Sequence, residues 1–170
     1  MVERQKINSS EFRVLSSESG TPQTQNVEHG TQFEKLIIEV NELYEWLNSQ
    51  IENNIPEKCE ACGQCCDFVA YDHRLYVTIL ETIYLAAKLK VDNLKPMRNG
   101  ICPYNKDGKC TVHLYRFAGC RIFNCKANSD IQSELSELVL KKLKALCEKY
   151  KIGYRYMDLN SSLNENSEAE

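Results

Sequence analysis

The 170-residue chain contains no run of about 18 apolar residues, so no membrane-spanning helix is expected. It also lacks a basic excess: 21 Lys and Arg stand against 24 Asp and Glu, which argues against a nucleic-acid-binding surface. Glycine is scarce at seven residues, and no Gly-rich fingerprint follows a strand-like run, so a dinucleotide fold is not expected. The first twenty residues have no apolar stretch behind their charges, which predicts no cleaved secretory signal and a cytoplasmic location. There is one tryptophan, and no internal repeat is present. What the chain has in excess is cysteine. Eight of its nine cysteines fall in the 67 residues from Cys59 to Cys125. In a reducing compartment such density points to metal ligation more than to disulfides.

The length suits one domain with tails. Residues 1–30 are polar and without sustained period, and residues 160–170 are acidic with Leu163 as the one large apolar residue, so both ends are expected to be disordered and dispensable. Between them, residues 31–159 form a single domain whose motif core is 59–125. Thr31-x-x-Glu34 has the form of a capping box and opens a helix whose Phe33, Leu36, Ile37, Val40, Leu43, Tyr44, Leu47 and Ile51 share one face, with Pro56 as its stop. Trp46 lies off that stripe and is expected to pack on the cysteine region. Phe68 to Val77 is rich in aromatic and β-branched residues and is compatible with a strand. Thr78-x-x-Glu81 predicts a second capped helix to about Lys90. Asp107-Gly108 predicts a hairpin that brings Cys102 and Cys110 together. Ser129-x-x-Gln132 caps a third helix through Tyr150, with Gly153 beyond its end. The predicted fold is mainly α, with a small α+β arrangement as the alternative: about three helices around a metal-stapled, cysteine-rich region carrying a short β-hairpin.

The first cysteine run is Cys59-x2-Cys62-x2-Cys65-Cys66, and the second comprises Cys102-Pro103, Cys110, Cys120 and Cys125. Two residues between thiols is the reach at which a tight turn aims both sulfurs at one zinc ion or iron–sulfur cluster, and Gly63 supplies backbone freedom for that turn. Eight thiols could fill two four-cysteine sites, or one site with sulfurs left over. If the backbone at Cys65-Cys66 is extended, the two side chains point to opposite sides and serve different places. Cys59, Cys62 and Cys65 with a distant Cys102-Pro103 are similar to the bacterial ferredoxin pattern, which favours a 4Fe-4S cluster, with Zn2+ as the competing metal. Four thiolates on either centre leave roughly −2 of formal charge, which calls for donors nearby. Arg121, next to Cys120, is the expected partner of the sulfurs. His73 and His113 are expected to be ordinary polar residues, Cys147 a semi-buried structural thiol, and Tyr71, Tyr76, Tyr104 and Tyr115 packing around the site.

CxxCxxCC, then Cys-Pro, Cys and an Arg-x3-Cys-Arg segment, resembles the CxxCxxCC (YkgJ-like) cysteine-cluster proteins, a family of proposed zinc- or iron-chelating domains. The resemblance runs from Cys59 to Cys125. It implies that Cys59, Cys62, Cys65, Cys66, Cys102, Cys110, Cys120 and Cys125 are metal ligands, that Arg116 and Arg121 are the arginines of the centre, and that Glu81 matches an acid of the intervening helix. The chain departs from the family at Arg116-Phe117, where the family has Arg-Pro. The same motif occurs in lysine N-methylase proteins. The functions implied are therefore a metal-binding protein of redox, metal-handling or structural role, a metal-dependent methyltransferase, or a zinc-structured interaction module, with no nucleic-acid or membrane partner expected.

Overall fold

The structure is a computed structural model and describes residues 22–165. Helix α1 spans Pro22–Asn54, so it begins before the expected start at Thr31, with proline at a first helical position, where its missing N–H is not needed. Of the N-terminal tail, residues 22–30 are thus helical, and residues 1–21 lie outside the described residues. The apolar stripe is as predicted: Leu36, Val40, Leu43, Tyr44 and Leu47 are buried, with Phe33, Ile37 and Ile51 partly so. Helix α2, Ile79–Leu89, starts from a formed capping box. The Thr78 hydroxyl accepts from the Glu81 amide, and the Glu81 carboxylate accepts from the Thr78 amide.

Helix α3 is short, Ala118–Ile122, and α4 runs Ser129–Lys149. The cap of α4 is Asn128 rather than Ser129: its Oδ1 accepts from the amides of Asp130 and Ile131 at 2.7 and 3.4 Å. At the other end the left-handed residue is Lys151, φ 55°, not the expected Gly153, and the Ile152 amide reaches back to the Cys147 carbonyl at 2.8 Å. Leu135, Val139, Leu143 and Cys147 of α4 pack on α1, α2 and α3 to form the larger core. Trp46 packs there too, with the Lys142 ammonium 4.6 Å from its ring centroid, so it meets α4 and not the cysteine region.

Two antiparallel strand pairs complete the fold, which is mainly α with a short hairpin. The segment expected as a strand from Phe68 is turns and irregular chain until β1, Tyr76–Thr78. Its partner is distant: Tyr76 faces Asp158 and Thr78 faces Tyr156. The hairpin strands β2, Asn105–Lys106, and β3, Lys109–Cys110, flank Asp107 and Gly108, both at positive φ, as a tight hairpin turn requires. The last strand of the first pair, β4, is Tyr156–Asp158, and helix α5, Leu159–Glu165, follows it. That helix corrects the expected tail at residues 160–170 over its described part. Leu163 is fully buried and Leu159 nearly so, in a second core with Val77, Leu85, Leu94, Met97, Tyr104, Val112 and Phe117. One leucine at the right place in a polar segment is enough when it fills the floor of a small core.

Candidate metal centre

Cys102, Cys110 and Cys120 pack directly against this second core, which therefore forms the floor of the thiol-bearing region. The two cysteine runs are stitched together through backbone. The Cys102 amide donates to the Cys66 carbonyl at 2.8 Å, and the Phe68 amide donates to Gly100 at 2.9 Å. Gly63, φ 72°, permits the turn that starts the 3-10 segment Gln64–Cys66. A Cβ there would lie 2.2 Å from the Gly108 carbonyl oxygen, so glycine also lets the hairpin tip approach.

Five thiols gather as a result: Cys65, Cys66, Cys102, Cys110 and Cys120. A hydrogen-bond chain runs from Cys65 to Cys66 and on to Cys102, and Cys110 and Cys120 lie within electrostatic reach of Cys66. The extended pair with opposed side chains is not what forms. In a 3-10 turn, Cys65 and Cys66 serve the same cluster. The Cys65 thiol is pushed far up by its hydrogen bond to Cys66 and then by burial. The hydrogen bond to Cys102 pushes Cys66 up to about 11. Burial, followed by the neighbouring thiols, drives Cys120 well above the ordinary thiol range. Without a cation Cys65, Cys66 and Cys120 favour their protonated forms, through hydrogen bonding and burial first and repulsion between neighbouring thiolates second. A metal ion must displace those protons in order to bind.

Cys59, Cys62 and Cys125 stand apart and are exposed. The segments carrying Cys59 and Cys125 are joined by residues that flank them: Asn124 Nδ2 donates to the Glu57 carbonyl at 2.6 Å, and Lys126 pairs with Glu60. The Cys147 thiol is fully buried in the larger core, more deeply than its edge position suggested. Among the described residues, no three Cys, His, Asp or Glu side chains stand in a ligating arrangement around one point.

Of the two arginines expected at the centre, Arg121 is the one that sequence position favours as partner of the sulfurs, but it makes no hydrogen bond to them. Arg121 is buried, and each nitrogen of its guanidinium donates to an oxygen rather than to a sulfur. Nε donates to the Arg116 carbonyl at 2.9 Å, Nη2 to the Leu114 carbonyl at 2.6 Å and Nη1 to Asn48 Oδ1 at 3.2 Å, while the group lies 4.2 Å from the Tyr44 ring centroid. It clamps the segment before α3 onto α1. Arg116 instead faces the thiols, and its charge favours the thiolate forms of Cys65 and Cys120. Its Nε is buried with no hydrogen-bond acceptor among the described residues. A buried donor without an acceptor, within electrostatic reach of Cys65 and Cys120, fits an anionic thiolate centre that would supply the acceptor. Phe117, just before α3, has φ −60°, the angle proline would impose, and its ring fills the second core.

Glu81 is buried and ties the elements of the site together. Its Oε1 accepts from the Ala118 amide at 2.7 Å, at the start of the helix that carries Cys120, and from the Tyr44 hydroxyl at 3.4 Å. His73 is pinned through Nε2 to the Cys65 carbonyl at 3.1 Å, and His113 is exposed. Of the four tyrosines, Tyr104 is buried, Tyr115 is partly buried, and Tyr71 and Tyr76 are half exposed. A cleft of about 440 Å³ opens against Cys65 and Cys120, walled by Phe68, His73, Tyr76, Phe123 and Tyr156. Sequence reading missed Asn124. Its amide N–H donates to Gln132 Oε1 at 2.9 Å, and Gln132 Nε2 returns a bond to its carbonyl at 3.1 Å. No helix among the described residues is long and apolar enough to cross a membrane. Comparison with protein-family models, curated proteins and solved structures finds no match.

Proposed function

We propose that the chain is a metal-binding protein of the CxxCxxCC type, holding a 4Fe-4S cluster or Zn2+ through its clustered cysteines. The observation that carries this reading is the gathering of five thiols from separate segments, three of them packed on one small core, near the acceptorless Arg116 Nε. Apolar backing on one side and an arginine on the other suit a buried anionic cluster, and the iron–sulfur form is the one preferred. Reduced thiols are needed for either metal, which suits a cytosolic protein. Protein made and handled without oxygen is expected to be brown, with iron and acid-labile sulfide in equal amounts, and to bleach in air. Colourless protein carrying stoichiometric zinc, even after anaerobic reconstitution with iron and sulfide, would reject the cluster and leave a zinc-structured interaction module. Protein that takes up neither metal would reject the whole reading.

A second reading, a metal-dependent enzyme such as a methyltransferase, is favoured by the cleft that reaches Cys65 and Cys120. Calorimetric titration of the metal-loaded protein with S-adenosylmethionine tests it. No heat of binding would remove that cofactor and, with it, the methyltransferase.

A further inference from the structure

We infer that the cleft against Cys65 and Cys120 binds a small, neutral, planar heteroaromatic molecule, which stacks on the aromatic walls and donates a ring N–H to Nδ1 of His73. This goes beyond the metal-binding and methyltransferase readings, since it concerns what the cleft recognises and requires no particular metal.

Two sets of rings wall the cleft. In the first, the His73 imidazole has Phe68 and Phe123 as ring neighbours, at centroid distances of 4.9 and 6.1 Å, and lies within 9° of parallel to Phe123. In the second, Tyr76 and Tyr156 sit diagonally across the β1–β4 pair. Tyr76 is opposite Asp158 and Tyr156 opposite Thr78, so both point to one face of the pair, and their centroids are 5.6 Å apart. The backbone that carries the rings is tied down: the Phe123 amide donates to the Gly119 carbonyl at 2.9 Å, and the Leu159 amide donates to the Leu75 carbonyl, beside Tyr76, at 2.7 Å. Yet Phe123, Tyr76 and Tyr156 are left 46%, 44% and 47% exposed. Aromatic surface held in water at a concave site is surface that a flat ligand would cover, and stacking adds to the gain from burial.

The polar groups decide what the ring must carry. A carbonyl only accepts, so the 3.1 Å contact between His73 Nε2 and the Cys65 carbonyl places the hydrogen on Nε2 and leaves Nδ1 of the neutral imidazole as an acceptor. Among the described residues none donates to Nδ1. The charged side chains at the cleft are Arg74 and Glu137, both exposed and of opposite sign, and Arg74 lies within electrostatic reach of Asp158. No net charge remains to hold an anion or a cation, which favours a neutral ligand. The volume of about 440 Å³ falls within the roughly 300–1,000 Å³ usual for small-molecule sites.

The test titrates the full chain, as isolated, with indole, 1-methylindole and cyclohexanol while backbone amide resonances are followed by NMR. Indole offers a flat ring and an N–H, 1-methylindole the ring alone, and cyclohexanol a donor without an aromatic face. Indole should shift the resonances of residues 68–76 and 119–123 and bind about fivefold more tightly than 1-methylindole, the worth of one hydrogen bond, with cyclohexanol weaker still. Phe123→Ala should weaken both indoles by about three- to tenfold, since it removes one stacking ring that is half exposed and contributes little to the fold. His73→Phe keeps a ring beside Phe123 and loses the acceptor, so the two indoles should bind it equally. A merely structural role for His73 would weaken both together and preserve their ratio, which would overturn the inference. So would shifts confined to other parts of the chain, equal affinity of the two indoles for the wild type, or cyclohexanol binding as tightly as indole. None of these outcomes touches metal uptake or S-adenosylmethionine binding, which separate titrations read.

Discussion

The two cores of this protein are built on different plans. The larger is helix against helix, and its side chains recur at helical spacing, so Leu36, Val40, Leu135, Val139 and Leu143 meet simply because their helices do. The smaller is assembled from one or two residues of many segments: Val77, Leu94, Tyr104, Val112, Phe117 and Leu163 come from strands, loops and a terminal helix. Only the second has cysteines packed on it from the hairpin and α3. A core made of such scattered pieces gains little from local structure, so the metal proposed for its thiols would contribute folding free energy directly. The helical half should therefore tolerate loss of metal, and the thiol-bearing half should not.

The sharpest way to break that contrast is at Leu163. Leu163→Ala removes a fully buried side chain from the floor of the smaller core and should cost about 2–5 kcal/mol in denaturant unfolding, with weaker metal retention. A change of a few tenths of a kcal/mol would mean that α5 is a detachable tail, as its sequence suggests.

Glu81 couples the two halves, since it joins α1 and α2 to the start of α3. Glu81→Gln places an amide N–H where the carboxylate accepted from Thr78 and Ala118, and leaving such a buried donor unpaired costs about 1–3 kcal/mol. The effect has a pH signature. Burial, the dominant influence, raises the Glu81 carboxyl above its ordinary range, against the hydrogen bonds from Thr78, Ala118 and Tyr44 that lower it. The folded protein thus binds this proton more tightly than the unfolded chain does. Its stabilisation is complete below the ordinary carboxylate range and is lost as pH rises through the folded-state value. Unfolding midpoints of wild type and Glu81→Gln, compared from about pH 4 to about pH 7, should show this slope in the first and not in the second. Parallel profiles would mean that Glu81 holds its proton no more tightly in the folded protein than in the unfolded chain.

What was legible in the sequence divides along the same line as the cores. The α1 stripe and the Thr78 capping box are local patterns, and both form as written. The hairpin was legible because Asp107-Gly108 suits few other conformations. Pairing of Tyr76 with Asp158 and burial of Leu163 depend on chain eighty residues away and leave no periodic trace. The cysteine spacing raised the expectation of a centre, but which thiols gather was hidden, because it depends on a 3-10 turn at Cys65-Cys66 and on the side-chain bonds of Asn124. Proximity in sequence favoured Arg121 as the partner of sulfur. Its carbonyl acceptors turn it away, and Arg116 takes that place.

Cys147 sharpens the comparison from the helical side. It is a cysteine in the larger core, and burial pushes its thiol up to about 11, so it stays protonated and behaves as a small apolar group. Cys147→Ala should lower stability by about 1 kcal/mol and leave metal content unchanged. Metal loss equal to that of Cys120→Ala would place Cys147 in the centre and dissolve the distinction between the two regions.

The smallest effect is expected where charge alone joins the helices of the larger core. Glu39 on α1 accepts from the Lys149 ammonium at 2.6 Å and from the Tyr150 hydroxyl at 2.8 Å. The Lys149 hydrogen bond, more than any other influence, holds its carboxyl below the ordinary range. The unfolded chain therefore binds that proton more tightly than the folded one, so the stabilisation is present above the ordinary carboxylate range and fades as pH falls through the folded-state value. Glu81 has the opposite sign, and the two slopes can be separated by their variants. The Lys149 side chain is 58% exposed, so solvent screens the pair, and Glu39→Gln should cost no more than about 1 kcal/mol, less at high salt. Thermal unfolding at low and high ionic strength checks this. A loss as large as that of Leu163→Ala would mean that the helical half depends on this contact rather than on its apolar stripe.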